Sequence, residues 1–233
     1  MLNRYWWRLF TKPQRDYFLD RLPVIDRETM KKTLSRRCKV SEPLIERNCI
    51  FVHVPKCAGK SLCASLLGGW GPGHLPLYWY EQMFPEFYSG AFKFGFVRDP
   101  LDRAYSAYCY LLGNRHIKQD QSARRMVEHF GSFDAFVAGW LCPENIQRQI
   151  HFVPQWQFLS NSLGQVAVDY LGRFESLDKD FSEICRRLGM QESLVHTNRS
   201  KLRDTQVLCS DLTRQRVLEV YRRDYELFGY LPQ

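Results

Sequence analysis

Short apolar runs alternate with stretches of helical periodicity along most of the chain. Cys49-Ile50-Phe51-Val52-His53-Val54 is largely apolar and ends at Pro55, which predicts a buried parallel strand. A helix is expected over residues 60–67, followed by a Gly/Pro-rich loop, Gly68-Gly69-Trp70-Gly71-Pro72-Gly73-His74. Phe92-Lys93-Phe94-Gly95-Phe96-Val97 predicts a second strand ending at Arg98. Asp99 then suits an N-cap with Pro100 at the first helical position. Leu101, Ala104, Tyr105, Tyr108, Leu111 and Leu112 would share one face of that helix. Residues 122–160 read as mostly helical and 166–174 as a third strand. A helix follows over 176–188, capped by Gly189, and a last helix over 211–228. This alternation predicts an α/β fold with a mainly parallel sheet.

Ahead of the first strand, residues 1–47 form a basic, aromatic lead, which divides the chain into 1–47 and a main domain over 48–233. Leu2, Tyr5, Trp6, Leu9 and Phe10 fall at helical spacing until Pro13, with Arg4 and Arg8 beside them. That face suits a helix docked on its own domain, or an interfacial contact with a membrane through residues 1–12.

Composition narrows the options. A chain of 233 residues that is 45% apolar can build one sizeable core. No apolar run reaches the ~20 residues of a membrane span, and no secretory signal is visible. The expected setting is therefore cytoplasmic, peripheral to the inner membrane if the lead binds there. A net charge of +8 favours anionic partners, but no nucleic-acid-binding module accompanies it, so no nucleic acid is expected. Eight cysteines contain no C-x₂-C pair, so a structural zinc site is not expected, and several lie in apolar runs as buried thiols do.

Two segments carry chemistry. Pro55-Lys56-Cys57-Ala58-Gly59-Lys60-Ser61 leaves a strand and opens a helix, a geometry in which backbone N–H groups and the helix dipole bind phosphate or sulfate. Its Gly-Lys-Ser ending imitates a nucleotide-triphosphate loop, but the pattern needs glycine at position 54, where this chain has valine. The second segment runs from Phe94 through Arg98-Asp99-Pro100 to Ser106 and Tyr108. Arg98 stands at the carboxyl end of a strand, where open α/β sheets bind ligands, and Ser106 lies about two helical turns later. A guanidinium and a hydroxyl so placed can hold one phosphate. Arg98 could equally pair with Asp99 or Asp102.

Together these segments resemble the 5′-phosphosulfate loop and the 3′-phosphate strand-helix of sulfotransferases that use 3′-phosphoadenosine 5′-phosphosulfate (PAPS). The likeness is greatest to the carbohydrate branch, the heparan and chondroitin type with its bacterial relatives. Gly172-Arg173-Phe174-Glu175-Ser176-Leu177 and the ending Tyr221–Tyr230 are similar to further parts of that branch. The resemblance implies a P-loop-like three-layer fold with helices flanking the central sheet. It implies sulfuryl transfer to a hydroxyl of a glycan or glycolipid, without a metal. Lys56 would stabilise the departing phosphate, and Cys57, Ala58, Gly59, Lys60, Ser61 and Leu62 would form the loop. Arg98 and Ser106 would take the 3′-phosphate. Arg199, Lys201 or Arg203, from a basic loop at 198–203 where relatives close over the donor, would touch that phosphate or an anionic acceptor, with Arg203 the donor-binding candidate. His74 resembles the catalytic histidine of uronyl 2-O-type relatives and would be the base, with Glu81 and Glu86 as reserves. His151, Gln155 and Trp156 are candidates for the acceptor cleft. A nucleotide kinase and a non-catalytic basic adaptor remain the alternatives.

Overall fold

The structure is a computed structural model that describes residues 4–35, 38–113, 120–195 and 207–231, with side chains from residue 7 onward. Four helices precede the sheet: α1 (Arg4–Leu9), α2 (Lys12–Leu19), α3 (Val24–Leu34) and α4 (Glu42–Glu46). Strand β1 (Cys49–Val52) leads into α5 (Gly59–Leu66), then α6 (Leu77–Met83) and α7 (Pro85–Gly90). Strand β2 (Phe92–Val97) leads into α8 (Pro100–Gly113), followed by α9 (Gln121–His129), α10 (Phe133–Trp140), α11 (Pro143–Ile146) and α12 (Gln155–Leu159). Strand β3 (Tyr170–Arg173) is followed by α13 (Leu177–Leu188), α14 (Asp211–Val220) and α15 (Arg222–Phe228). The α/β architecture expected from the sequence is present: a parallel sheet ordered β1-β2-β3, flanked by helices.

The strands are short and mostly apolar, with Lys93 and Arg173 at half-buried positions, because much of both faces is covered. All four residues of β1 are buried, as are Phe94, Phe96 and Val97 of β2. One core cluster surrounds the sheet and takes in Val24, Ile25 and Leu44 from the lead, with Leu62 of α5 and Phe181 of α13. A second cluster lies among α8, α9, α10, α14 and α15, centred on Leu111, Phe136, Val217 and Tyr221. Asp99 caps α8 as the spacing predicts, its Oδ1 accepting from the Asp102 amide at 2.9 Å.

Two elements depart from the sequence reading. The third strand begins at Tyr170, not 166. Val166 instead makes an isolated antiparallel bridge with Ser160, and the Asp169 side chain accepts from the Lys93 amide at 2.7 Å, in the place of a ladder bond. The last helix is broken at Tyr221. The break aims the wholly buried Asp224 at the start of α12, where Oδ2 accepts from the Gln155 amide at 2.8 Å and Oδ1 from the Trp156 amide at 2.9 Å. These two donors would otherwise be orphans at a helix N-terminus. Burial raises the Asp224 carboxyl above the ordinary carboxylate range, and the nearby charge of Arg103 pulls it back. Arg103 is itself wholly buried and donates to the carbonyls of His151 (3.1 Å) and Val153 (3.0 Å).

Asp224→Ala would strand two buried amides and leave Arg103 uncompensated. The expected loss is about 3 kcal/mol of stability in urea unfolding, well above an ordinary surface change. A loss under about 0.5 kcal/mol would mean that the capping does not hold α12.

Candidate functional site

The loop between β1 and α5 is built from strained backbone. Lys56 and Ala58 have φ of 72° and 60°, in the left-handed region that non-glycine residues enter at about 1–2 kcal/mol each. Residues alternating in this way turn successive N–H groups toward one side, a concavity suited to an anion, and the opening turn of α5 adds its own amides. Gly59 is needed for a separate reason: a Cβ there would lie 1.8 Å from His53 Nε2. The His53 ring thus packs directly on the start of α5, as a positioning residue rather than an exposed one. Among the loop's other candidates, Cys57, Gly59, Ser61 and Leu62 are buried, Ala58 is half-buried and Lys60 is exposed.

Gln155 ties this loop to the end of β2. Its Oε1 accepts from the Arg98 amide at 2.9 Å and from the Cys57 thiol at 3.4 Å, while Nε2 donates to the Arg98 carbonyl at 2.8 Å. It is wholly buried, so it does not line an open cleft as the sequence suggested. Burial pushes the Cys57 thiol up to about 12, so it stays protonated. The Arg98 guanidinium is only 5% exposed. It donates through Nε to Asp102 at 2.9 Å, reaches the Lys56 carbonyl at 3.4 Å and lies over the Phe174 ring at 4.0 Å. The pairing with Asp102 that the sequence left open is therefore made, and Arg98 is at the same time held beside the loop.

From Arg98 a polar stripe runs along α8. Asp102, Ser106 and Tyr110 recur at intervals of four and so share a face. At the near end Asp102 meets Arg98; at the far end the Lys56 ammonium lies 4.1 Å above the Tyr110 ring. Half-buried Ser106 sits between them. Lys56 is pushed down to about 8, chiefly by burial and then by the cations of Arg98 and Lys60.

Three histidines face the same region. His74 lies 4.5 Å from His53 and 6.2 Å from His151, ring centre to ring centre. His74 Nδ1 is 2.9 Å from the His53 carbonyl. A carbonyl only accepts, so Nδ1 carries the proton and Nε2 keeps the lone pair. Burial pushes His74 down to about 4, against the smaller opposite pull of that hydrogen bond. Burial and the charges of its neighbours, His74 first among them, hold His53 well below the usual histidine range. His151 Nε2 lies 3.7 Å from Asp120 Oδ1, and the Tyr110 hydroxyl donates to Asp120 Oδ2 at 3.1 Å. These contacts, that with His151 foremost, keep Asp120 below the ordinary carboxylate range.

Lys56, Arg98, Ser106, His74 and His151 are thus gathered around the loop and α8. Asp120 and Tyr110 join them, though nothing in their local sequence singles them out. Glu81 is elsewhere, bound to the amide and hydroxyl of Ser162, and Glu86 lies in the first turn of α7. Trp156 is half-buried under the Arg223 guanidinium, 3.7 Å from its ring centre. Arg203 and the rest of 198–203 lie outside the described residues. Among the described residues no three His, Cys, Asp or Glu side chains are grouped to hold a metal ion.

Compared with known proteins, residues 76–231 match the model of the sulfotransferase family. No curated protein and no solved structure matches. The matched stretch is about two-thirds of the chain and includes Arg98, Ser106 and the C-terminal helices, while the loop at Lys56 and His74 precede it. With so much of its length matched, the chain belongs to the sulfotransferase family.

Proposed function

We propose that this protein transfers the sulfuryl group of PAPS to a hydroxyl of a glycan or glycolipid acceptor, through residues 48–233. The observation that carries the reading is the junction of a strained anion loop with a buried arginine and a neutral, tautomer-fixed histidine at one end of a parallel sheet. The residues fit the donor. The amides from Cys57 to Leu62, with the Ser61 hydroxyl, would cradle its 5′ end, at the place where Gly59 leaves room only for His53. Arg98 and Ser106 would hold the 3′-phosphate, the guanidinium sharing itself between Asp102 and the phosphate.

When bound, the donor supplies an activated sulfur–oxygen bond whose leaving side is a phosphate. Lys56 would stabilise the charge that grows there as the bond breaks, an interaction stronger in the transition state than before it. Its desolvated setting makes that charge count for more than it would in water. His74 Nε2 would take the proton of the acceptor hydroxyl as oxygen attacks sulfur in line. Held near 4, the ring is neutral and competent at pH 7, although a weak base. Asp120 would orient His151 beside it.

Thermal shift tests the donor. The product 3′-phosphoadenosine 5′-phosphate should stabilise the protein by about 2.7 kcal/mol at a hundredfold excess over Kd, and AMP by much less. Equal stabilisation by both would refute a 3′-phosphate site.

His74→Ala should lower kcat by about 10²–10⁴-fold with donor affinity nearly unchanged. In the wild type, kcat/KM should stay level on the acid side until the pH approaches about 4, since His74 is neutral above that value. An acid limb near the ordinary histidine value of about 6.5 would assign the base to another group.

Lys56 sets the alkaline side. Its value is depressed, so the charge is lost as pH rises through about 8, and kcat/KM should fall there. Between about 8 and the unfolded lysine value of about 10.4 the folded state holds fewer protons at Lys56 than the unfolded state, so Lys56's own contribution favours folding as pH rises. Buried thiols such as Cys57, held protonated up to about 12, pull the other way, so wild type should gain stability over that window relative to Lys56→Met. Lys56→Arg should remove the alkaline limb; a limb that persists would belong to another group.

A further inference from the structure

The first two helices stand apart from the rest of the molecule's packing logic. On α2 only Leu19 is buried, and four large apolar side chains around the turn between α1 and α2 face solvent: Leu9 is 73% exposed, Phe10 37%, Tyr17 57% and Phe18 48%. The turn itself is well made. Thr11 and Gln14 form a reciprocal capping box that restarts the helix, with Pro13 in its first turn. The exposure is therefore a property of a defined surface, not of a frayed end.

Four aromatic rings form a continuous row. The Trp7 and Phe10 rings are 6.0 Å apart, Phe10 and Phe18 5.6 Å, and Phe18 and Tyr17 5.9 Å. The Arg21 guanidinium lies 3.4 Å above Tyr17 and closes one end. At the other end Trp7 borders a cavity of about 240 Å³ lined by Arg8, Arg15, Leu19, Lys31, Leu34 and Ser35.

Charge selects the occupant. Both carboxylates of α2 and the turn after it are engaged, Asp16 with Lys12 at 3.4 Å and Asp20 with Arg27 at 3.3 Å, and Lys31 meets Glu28 at 3.1 Å. Arg8, Arg15 and Arg21 have no carboxylate partner among the described residues. A two-fold contact with a second copy would bring these arginines against their own images, so self-association through this face is disfavoured. An anionic bilayer satisfies both halves of the pattern: Trp, Tyr and Phe suit the boundary between headgroups and acyl chains, and arginines suit the phosphates above it. No helix among the described residues is long and apolar enough to cross a membrane, so the contact would lie in the interface plane.

We propose that α1 and α2 form a docking surface for an anionic membrane, with the Phe10-Phe18-Tyr17 row and the exposed Leu9 seated in the interface and the Arg8/Arg15 cavity holding a lipid phosphate. The surface is separate from the residues proposed for sulfuryl transfer, so its test does not depend on that reading.

Co-sedimentation of the full chain with vesicles decides it. Binding is expected to vesicles of phosphatidylcholine with about one-third phosphatidylglycerol, and not to phosphatidylcholine alone; raising salt toward 1 M, where the screening length falls to about 3 Å, should weaken it sharply. Arg8→Ser/Arg15→Ser should cost about fivefold in partitioning per arginine. Leu9→Ser/Phe18→Ser should weaken binding at unchanged charge. Lys179→Glu, on exposed α13 surface, should cost far less than either arginine. Unfolding midpoints check that each variant is folded. The proposal is overturned by absence of binding to the anionic vesicles. It is equally overturned if Leu9→Ser/Phe18→Ser binds like wild type, which would reduce the effect to adsorption of a basic protein. A concentration-dependent dimer broken by the same double variant would also overturn it.

Discussion

One buried amide side chain holds the site together. Gln155 bonds both backbone groups of Arg98 and the Cys57 thiol, so it fixes the end of β2 against the anion loop that follows β1. Its own backbone is fixed in turn by Asp224, which reaches it only because the last helix breaks at Tyr221. A chain of full satisfaction thus runs from the C-terminal helices to the loop. Buried polar networks of this kind rigidify when every member is paired and fail when one is not. The separation of the Lys56 and Arg98 backbones is therefore set in part by Gln155 and Asp224, which touch neither side chain.

The same logic governs charge. Lys56 shares one loop with Lys60, beside Arg98, and burial first, then those two charges, loosen its hold on its proton. Without an anion that arrangement is costly, because like charges in a poorly solvated place disfavour one another. The protein offsets some of the cost with the faces of Tyr110 and Phe174 and with the carboxylate of Asp102. The histidines take the opposite course. His53 and His74 are buried beside the cations and relax by remaining neutral. An entering anion would meet undercompensated positive charge next to two uncharged histidines.

Much of this was legible in the sequence, and the rest was hidden for identifiable reasons. The two strands flanking the loops were readable because a strand covered on both faces is a continuous apolar run, as in Cys49–Val52 and, past the half-buried Lys93, Phe94–Val97. Asp99 with Pro100 announced α8, and the spacing of Arg98 and Asp102 allowed their pairing. The third strand was overdrawn because Val166 and Val168 have strand propensity, which pairing with Ser160 and the Asp169 side chain overrides. The break at Tyr221 carried no glycine or proline to mark it. A signal was nonetheless there: Asp224 lies on the same helical face as Tyr221, Tyr225 and Phe228, and a carboxylate on an apolar face needs a partner. Arg103, wholly buried in α8, is the same kind of signal. The meeting of His74, His151 and Asp120 depends on tertiary contacts between distant loops, which no local pattern encodes.

The anion loop shows how far a motif's letters can mislead about its mechanics. Glycines in a phosphate loop usually supply left-handed backbone at little cost. Here a lysine and an alanine adopt that backbone, while the loop's one glycine, Gly59, answers a steric demand from the His53 ring. Such strain persists only where the surroundings over-determine it. They do so here, with His53 pressing on one end, Cys57 tethered to Gln155 in the middle and Val54 buried beneath. The Gly-Lys-Ser ending that imitates a nucleotide-triphosphate loop leaves Lys60 exposed, whereas the unusual backbone at Lys56 carries its ammonium inward to Tyr110. The lysine that the fold desolvates is thus Lys56, and the backbone strain at that residue accompanies its inward course.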